Sequence, residues 1–214
     1  MFHTYYIYIA LVPSVILHEV SHGWVANFFG DPTAKDAKRL SLNPMRHIDP
    51  FGTILMPGLL IALHFPPFGY ARPVPVNTSR LRKPRQQSLY VSLAGPLVNI
   101  VLSAIGLLLC DESGVTFVNG VPQYNTVLFN AGVALGISNL LLAAFNLLPI
   151  PPLDGSAVIE RFVPNKHLGN YYHWRARALP LVLLFVILSE YVFHFGSNAL
   201  GGLENWWFSL IHVR

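Results

Sequence analysis

The chain has 214 residues, of which 53% are hydrophobic and only 11% are charged. Soluble domains carry about 25% charged residues, so this composition excludes an ordinary soluble domain and indicates a protein that crosses the membrane several times. The single cysteine, Cys110, excludes an internal disulfide and a zinc site made of cysteines. The net charge of +4 does not indicate a nucleic-acid partner, because nearly all basic residues lie in three loops between apolar runs.

Four apolar runs are long enough to cross the bilayer, and we predict a transmembrane helix from each of them. In chain order the four runs are 5–29, 88–110, 127–150 and 178–198. The tail at 199–214 carries an aromatic pair, Trp206 and Trp207. Such a pair is typical of a segment that lies at the membrane interface.

A fifth apolar run, 51–65, lies between two of the three basic loops. The basic loops are 31–50, 72–85 and 156–177. The positive-inside rule predicts that all three are cytoplasmic and that the acidic connection at 111–125 is outside. A full crossing by 51–65 would place one basic loop outside, and the run is short and contains Pro57 and Gly58. We therefore predict a re-entrant segment, and a tilted fifth span is the alternative.

The sequence HEVSH places His18, Glu19 and His22 inside the first apolar run. In a helix, residues four apart lie on one face about 6 Å apart, so the two imidazoles can bind one zinc ion. Glu19 is rotated by about 100 degrees and can reach a zinc-bound water without being a ligand. The alternative is that two buried histidines only form structural hydrogen bonds. Because ionisable groups are costly in a membrane span, the cluster favours a metal site.

Catalytic zinc has three protein ligands and one open position, so we expect a third His, Asp or Glu at the same depth. The candidates are His47, Asp49, His64, Asp154 and Glu190. Asp154 follows the cytoplasmic end of the third span and matches the depth of His22. His64 is a weaker competitor, and Glu190 lies in the outer half of its span. The remaining two candidates lie in a polar loop, where solvated side chains need no metal to explain them.

Five motifs, in this order, resemble those of the site-2 proteases, the intramembrane zinc metalloproteases of peptidase family M50. They are HEVSH, NPMRHIDPFG (43–52), GYARPVPVN (69–77), LAGPLVN (93–99) and NLLPIPPLDG (146–155). The resemblance implies one zinc ion per chain on His18, His22 and Asp154, with Glu19 as general base and acid. It also implies that Asn99 lies near the site and steadies the oxyanion, and that Asn146 contacts the substrate backbone.

Two features qualify what the resemblance implies. Many bacterial members of the family carry a PDZ domain between the spans that hold the GPxxN and LDG motifs. Here that connection, 111–125, is short, so we expect a minimal member without a PDZ domain.

Buried amides need partners, which supports a role for Asn99 and Asn146 at the site. The alternative is that each amide only bridges helices.

The motif GYARPVPVN alternates prolines with Arg72, Val74 and Val76. Proline denies hydrogen-bond donors to one edge, so the motif predicts extended chain or an edge strand. A helical substrate must unwind before water can attack its peptide bonds, and pairing with such an edge would replace the lost hydrogen bonds. We therefore predict that Val74 and Val76 bind substrate. The alternative is an ordinary basic loop.

Together these features predict an all-α polytopic membrane protein with about four transmembrane helices, a re-entrant segment and a small extended β element near the active site. We expect one intramembrane metalloprotease domain over 1–214, with its core at 5–155. The predicted function is Zn²⁺-dependent hydrolysis of peptide bonds within or near transmembrane segments of membrane-protein substrates.

The predicted location is the lipid bilayer of a prokaryotic inner or plasma membrane, with the active site toward the cytoplasm. Two alternatives are a membrane protein that binds or transports zinc without proteolysis, and a chaperone-like relative without protease activity. The complete HEVSH and LDG motifs argue against the second alternative.

Overall fold

The computed structural model describes residues 5–55, 58–59, 62, 71–118, 121–124, 126–178 and 195–211, and these are mostly helical. The helices are α1 (Tyr5–Phe28), α2 (Thr33–Asp36), α3 (Pro84–Glu112), α4 (Thr126–Asn146), α5 (Ser156–Glu160), α6 (Leu168–Arg177) and α7 (Phe195–Ser209). Strands β1 (Val115–Val118) and β2 (Val121–Tyr124) form an antiparallel hairpin with Val118 opposite Val121. Short 3-10 turns lie at Pro44–Arg46, Thr78–Arg80 and Asn165–His167, and a π-helical segment lies at Pro50–Leu55.

Within the described residues, three helices are long and apolar enough to cross a membrane. They are Ile9–Phe28 in α1, Pro84–Glu112, which is the whole of α3, and Val127–Asn146 in α4. They coincide with the first three predicted spans. Most of the fourth predicted span, at 178–198, lies outside the described residues, and so does much of the predicted re-entrant run 51–65. The count of four crossings therefore stays a prediction.

The β element that the sequence predicts near the active site is not confirmed. Residues 71–77 form neither helix nor strand, and Pro73 and Pro75 keep the chain there extended, but no strand pairing involves it in the described part of the chain. Pro73 and Pro75 lack the N–H donors that a ladder needs, and side chains and loop carbonyls bond this segment instead. The two strands that do form lie in the short connection between α3 and α4.

The chain forms two compact units, and the first comprises residues 12–95. Its buried core includes Ala26 of α1, Val91 of α3 and Leu81, which follows the 3-10 turn Thr78–Arg80, and other apolar side chains pack against these three. Gly23 lets the following loop and the 71–77 segment approach α1 closely. A Cβ at residue 23 would lie 2.6 Å from Leu40 Cδ2 and 2.7 Å from Val74 Cγ1, which is closer than real contacts allow.

The second unit comprises residues 1–11 and 96–214. Glycines let α3 and α4 pack tightly within it, because a Cβ on Gly106 would overlap the backbone of Gly136. The ring of Trp207 from α7 lies directly on Gly136, and its Nε1 donates a 3.0 Å hydrogen bond to Ser103 Oγ. Trp207 is only 1% exposed, whereas Trp206 is 54% exposed. Of the aromatic pair in the tail, only Trp206 therefore has the exposure of an interfacial residue.

Candidate active site

The HEVSH sequence lies in the middle of α1, where the helical repeat places His18 and His22 on one face. Both imidazoles are buried, and their ring centroids are 4.8 Å apart with the ring planes nearly perpendicular. This is the i, i+4 spacing at which two ring nitrogens can reach one ion. The pair belongs to the first unit, residues 12–95.

Gly95 of α3 shows where the two imidazoles point. A Cβ at residue 95 would lie 2.6 Å from Nε2 of His18 and 2.6 Å from Nε2 of His22. Both Nε2 atoms therefore border the same point in space, beside a helix backbone that has no side chain there. A residue with any side chain would fill the position from which both nitrogens can be reached. The arrangement fits a metal ion held by the two Nε2 atoms.

A hydrogen bond indicates which nitrogen of His22 would bind metal. Nδ1 lies 2.7 Å from the backbone oxygen of Val91, one turn before Gly95 on α3. A carbonyl oxygen only accepts, so Nδ1 carries a proton, and in the neutral ring Nε2 is then the nitrogen with the lone pair. Metal-binding histidines commonly use the second nitrogen in this way to fix the ring. The residues present therefore suit a zinc ligand at this position.

The carboxylate of Glu19 is held by the extended chain at 71–77. Its Oε2 accepts a 3.0 Å hydrogen bond from the N–H of Val74, which is itself buried. Because Pro73 and Pro75 have no N–H group, Val74 supplies the sole backbone donor among these three residues. The bond orients Glu19 and leaves its second oxygen for other partners.

The LDG motif lies in the second unit, in the loop that follows α4. The N–H of Gly155 donates a 2.7 Å hydrogen bond to the backbone oxygen of Asn146, which closes the loop around Asp154. A Cβ at residue 155 would overlap the Leu147 carbonyl group, so this closure requires glycine. Asp154 is half-buried, and α5 begins two residues after it.

The two amides predicted at the site also lie in the second unit. Asn99 of α3 is 0% exposed, as expected for a polar group with a specific role inside an apolar helix. Asn146 is the last residue of α4, and its Nδ2 donates a 3.0 Å hydrogen bond to the backbone oxygen of Leu142. Its side-chain oxygen then remains as an acceptor. Both roles stay predictions.

The interpretation of His47 and Asp49 as solvated loop residues needs correction for His47. That imidazole is only 2% exposed, and its Nε2 lies 2.7 Å from the backbone oxygen of Ser41. Asp49 accepts hydrogen bonds from the N–H groups of Phe51 and Gly52, at the start of the π-helical segment. Both therefore have structural roles in this loop. The other two rival ligands, at 64 and 190, lie outside the described residues.

Sequence reasoning missed two charged residues beside the predicted site, Asp31 and Arg39. Both are buried, at 0% and 9% exposure. Burial lowers the pKa of Arg39, and the neighbouring guanidinium of Arg72 lowers it further, while Glu19 opposes the shift. Both residues lie in the basic loop 31–50, and no local sequence pattern shows that a charged residue in a loop is buried. For Gly95 the sequence does offer a signal. Glycine weakens a helix, so a glycine inside an apolar helix needs a structural or functional reason.

Comparison with known proteins agrees with this chemistry. The model of peptidase family M50 matches residues 6–130. The chain belongs to peptidase family M50. YwhC of Bacillus subtilis is 45% identical to it over 166 residues, which is 74% of this chain and 69% of YwhC. The name of that relative describes a presumed zinc metalloprotease.

More distant relatives carry similar names. Rip2 of Mycolicibacterium smegmatis, also named as a presumed zinc metalloprotease, is 34% identical over 69% of this chain and 53% of its own length. Zinc metalloprotease MJ0392 of Methanocaldococcus jannaschii is 26% identical over 75% of this chain and 35% of its own length. The match thus spans about half of the length of Rip2 and about a third of the length of MJ0392. No solved structure matches the chain significantly.

These findings confirm the predicted resemblance. With three apolar helices and this family assignment, the chain is a membrane protein and a metallopeptidase.

Proposed function

We propose that this M50 peptidase is a zinc-dependent endopeptidase that cleaves peptide bonds within or near the transmembrane segments of other membrane proteins. One observation carries the proposal: two buried imidazoles on a membrane-length helix point their Nε2 atoms at one place, with a carboxylate one residue from the first of them. Ionisable groups within a membrane span are costly to bury, and such residues mark functional sites. Family membership supplies the reaction class.

We assign one zinc ion per chain to His18, His22 and Asp154. The first two are supported by their convergent geometry and by the His22–Val91 hydrogen bond. Asp154 is supported by the LDG sequence, by its loop and by the need for a third ligand that leaves one position open. When bound, zinc polarises water and lowers its pKa to about 7.

Glu19 is the proposed general base and acid. It accepts the proton of the attacking water and passes it to the amine that leaves when the peptide bond breaks. Its hydrogen bond from Val74 N–H keeps one oxygen in place, so that the other can face the reacting atoms. In this proposal Asn99 steadies the oxyanion, because an amide N–H₂ can donate to a developing negative charge.

The substrate is proposed to bind as an extended strand. Asn146 contacts its backbone, and residues Val74 and Val76 offer it an edge. The N–H of Val74 already bonds Glu19, whereas the N–H of Val76 donates no hydrogen bond within the described part of the chain. Val76 is therefore the better candidate for pairing with substrate. Pairing would replace the hydrogen bonds that a helical substrate loses on unwinding.

The basic loops support a cytoplasmic position for this site, in four crossings of a prokaryotic inner or plasma membrane. Cleavage is then expected in the cytoplasmic half of the substrate span. Substrates with Gly, Asn or Pro in that half should be cut faster than a poly-Leu span, because these residues lower the cost of unwinding by roughly 0.5 to 3 kcal/mol each.

The test is the substitution Glu19→Gln, which keeps the shape of the side chain and removes the base. Purified wild-type and variant proteins are compared on single-span peptides, with and without a zinc chelator. Zinc content should stay at the wild-type level, while cleavage should fall by about 100- to 10,000-fold. Glu204→Gln, in α7, is a matched control that should cleave normally.

Two outcomes would overturn the proposal. Cleavage by Glu19→Gln at the wild-type rate would exclude this carboxylate as the base. If neither protein cleaves any peptide but both bind or transport zinc, the protein is a zinc carrier instead.

A further inference from the structure

The extended segment, residues 72–77, is held at both ends by charged side chains from the loop that follows α1. This loop carries Asp31 and Arg39 on either side of the short helix α2. Both side chains are buried. Each forms hydrogen bonds with backbone groups of the extended segment and not with its side chains. The arrangement fixes the segment from both ends.

Arg39 holds the first half of the extended segment. Its Nη2 donates hydrogen bonds to the backbone oxygens of Arg72, at 2.6 Å, and of Pro73, at 3.4 Å. The N–H of Arg72 also donates to the backbone oxygen of His47, at 2.8 Å. Hydrogen bonds from a charged group are roughly twice as strong as neutral ones. The residues directly before Val74 are therefore fixed.

Asp31 holds the other end. Its Oδ2 accepts a 2.6 Å hydrogen bond from the N–H of Asn77, while its Oδ1 accepts from the N–H and hydroxyl of Thr33 within its own loop. The side chain is 0% exposed, so these protein donors take the place of water as its hydrogen-bond partners. Asp31 thus joins the start of α2 to the end of the extended segment.

Val74 lies between these two attachments, and its N–H bonds Glu19. We propose that Asp31 and Arg39 are positioning residues, which fix the extended segment so that Val74 orients the Glu19 carboxylate. The proposal rests on Glu19 acting as the base in the proposed function. Neither side chain contacts substrate in this role. Each acts through the backbone of residues 72–77.

The test uses Asp31→Asn and Arg39→Gln. Asp31→Asn is isosteric: its remaining oxygen can still accept from Thr33, but an amide N–H₂ would face the Asn77 N–H, donor against donor. We expect kcat per zinc-loaded chain on a single-span peptide to fall by about 10- to 100-fold in each variant, because a displacement of about 1 Å at a catalytic group costs this much. Zinc content should match the wild type.

Matched controls come from the same loop. Asp36→Asn changes an exposed aspartate of α2, and Arg46→Gln changes an exposed arginine whose Nη1 bonds the Lys38 backbone oxygen instead of the extended segment. Both controls should keep the wild-type kcat. A purely structural role for Asp31 and Arg39 would lower the yield of folded protein and leave kcat per zinc-loaded chain unchanged.

The proposal is overturned if both variants keep the wild-type kcat, if their lost activity follows lost zinc, or if only KM rises. If one variant fails to fold, kcat of the other variant decides. If both fail to fold, the two residues stabilise the fold, and the positioning role is rejected. Glu19→Gln separates the two levels of inference. If it is inactive while Asp31→Asn and Arg39→Gln behave like their controls, only the positioning role fails. If it is active, the proposed function fails.

Discussion

Replacing Gly95 by alanine adds one methyl group at the point on which the two imidazoles converge. The new Cβ would lie 2.5 Å from Cε1 and 2.6 Å from Nε2 of His18, and 2.6 Å from Nε2 of His22. Ordinary contacts of this kind are 3.4–4 Å. Each imidazole must therefore move by about 1 Å, or the helix backbone must move instead.

The expected loss can be estimated from the hydrogen bond and the rotamers involved. Turning His22 away from residue 95 weakens its bond to the Val91 carbonyl, which is worth about 1–3 kcal/mol if a buried group is left unpaired. A side chain forced about 30 degrees from its rotamer costs roughly 0.5–1.5 kcal/mol more. Loss of such supporting contacts weakens metal binding by about 10- to 100-fold. We expect Gly95→Ala to weaken zinc binding by at least this factor.

The assay is zinc affinity of purified protein in competition with a chelator, with melting temperature measured in parallel. Gly132→Ala is the matched control within a transmembrane helix. Its Cβ would crowd Cys110 Sγ at 2.7 Å, and residue 132 is far from both histidines in the sequence. It should lower stability and leave zinc affinity unchanged. Gly169→Ala in α6, where a Cβ meets nothing within 4 Å, should be neutral or slightly stabilising.

Wild-type zinc affinity in a folded Gly95→Ala protein would refute this reasoning, because the imidazoles would then not converge beside residue 95. Equal loss of zinc in Gly132→Ala would also refute it. That result would mean that zinc affinity only reports overall stability.

Three further predictions follow from the other parts of the molecule. Purified protein should hold about one zinc per chain, and Asp154→Ala should remove it; full retention, measured by metal analysis, would contradict the assigned third ligand. Single cysteines introduced by Asp36→Cys and Ser79→Cys, with Cys110 replaced by serine, should both react with impermeant reagent from the cytoplasmic side. Labelling from opposite sides would mean that the intervening apolar run spans. Trp207→Phe should lower the melting temperature in detergent by an amount equivalent to about 1–3 kcal/mol, because it leaves a buried hydroxyl without its indole donor; an unchanged melting temperature would show that this hydrogen bond adds no stability.

The sequence by itself determined the class of protein and the placement of the two histidines on its first helix. The lengths of the apolar runs predict three helices that the structure contains, because a bilayer sets a minimum length for an apolar helix. The spacing of HEVSH places His18 and His22 on one face, because the helical repeat is a local property. The same locality explains the closed loop at LDG, where glycine is needed for a turn within a few residues.

Only the tertiary structure decided what surrounds those residues. The hydrogen bond between His22 and Val91 joins positions 69 apart, and the bond between Glu19 and Val74 joins positions 55 apart. The sequence predicts a β element within 69–77, but its prolines prevent ladder pairing, and Asp31 and Arg39 hold residues 72–77 instead. Nothing in the local sequence separates these two charges from their solvated neighbours, because burial and hydrogen-bond partners depend on how distant segments pack.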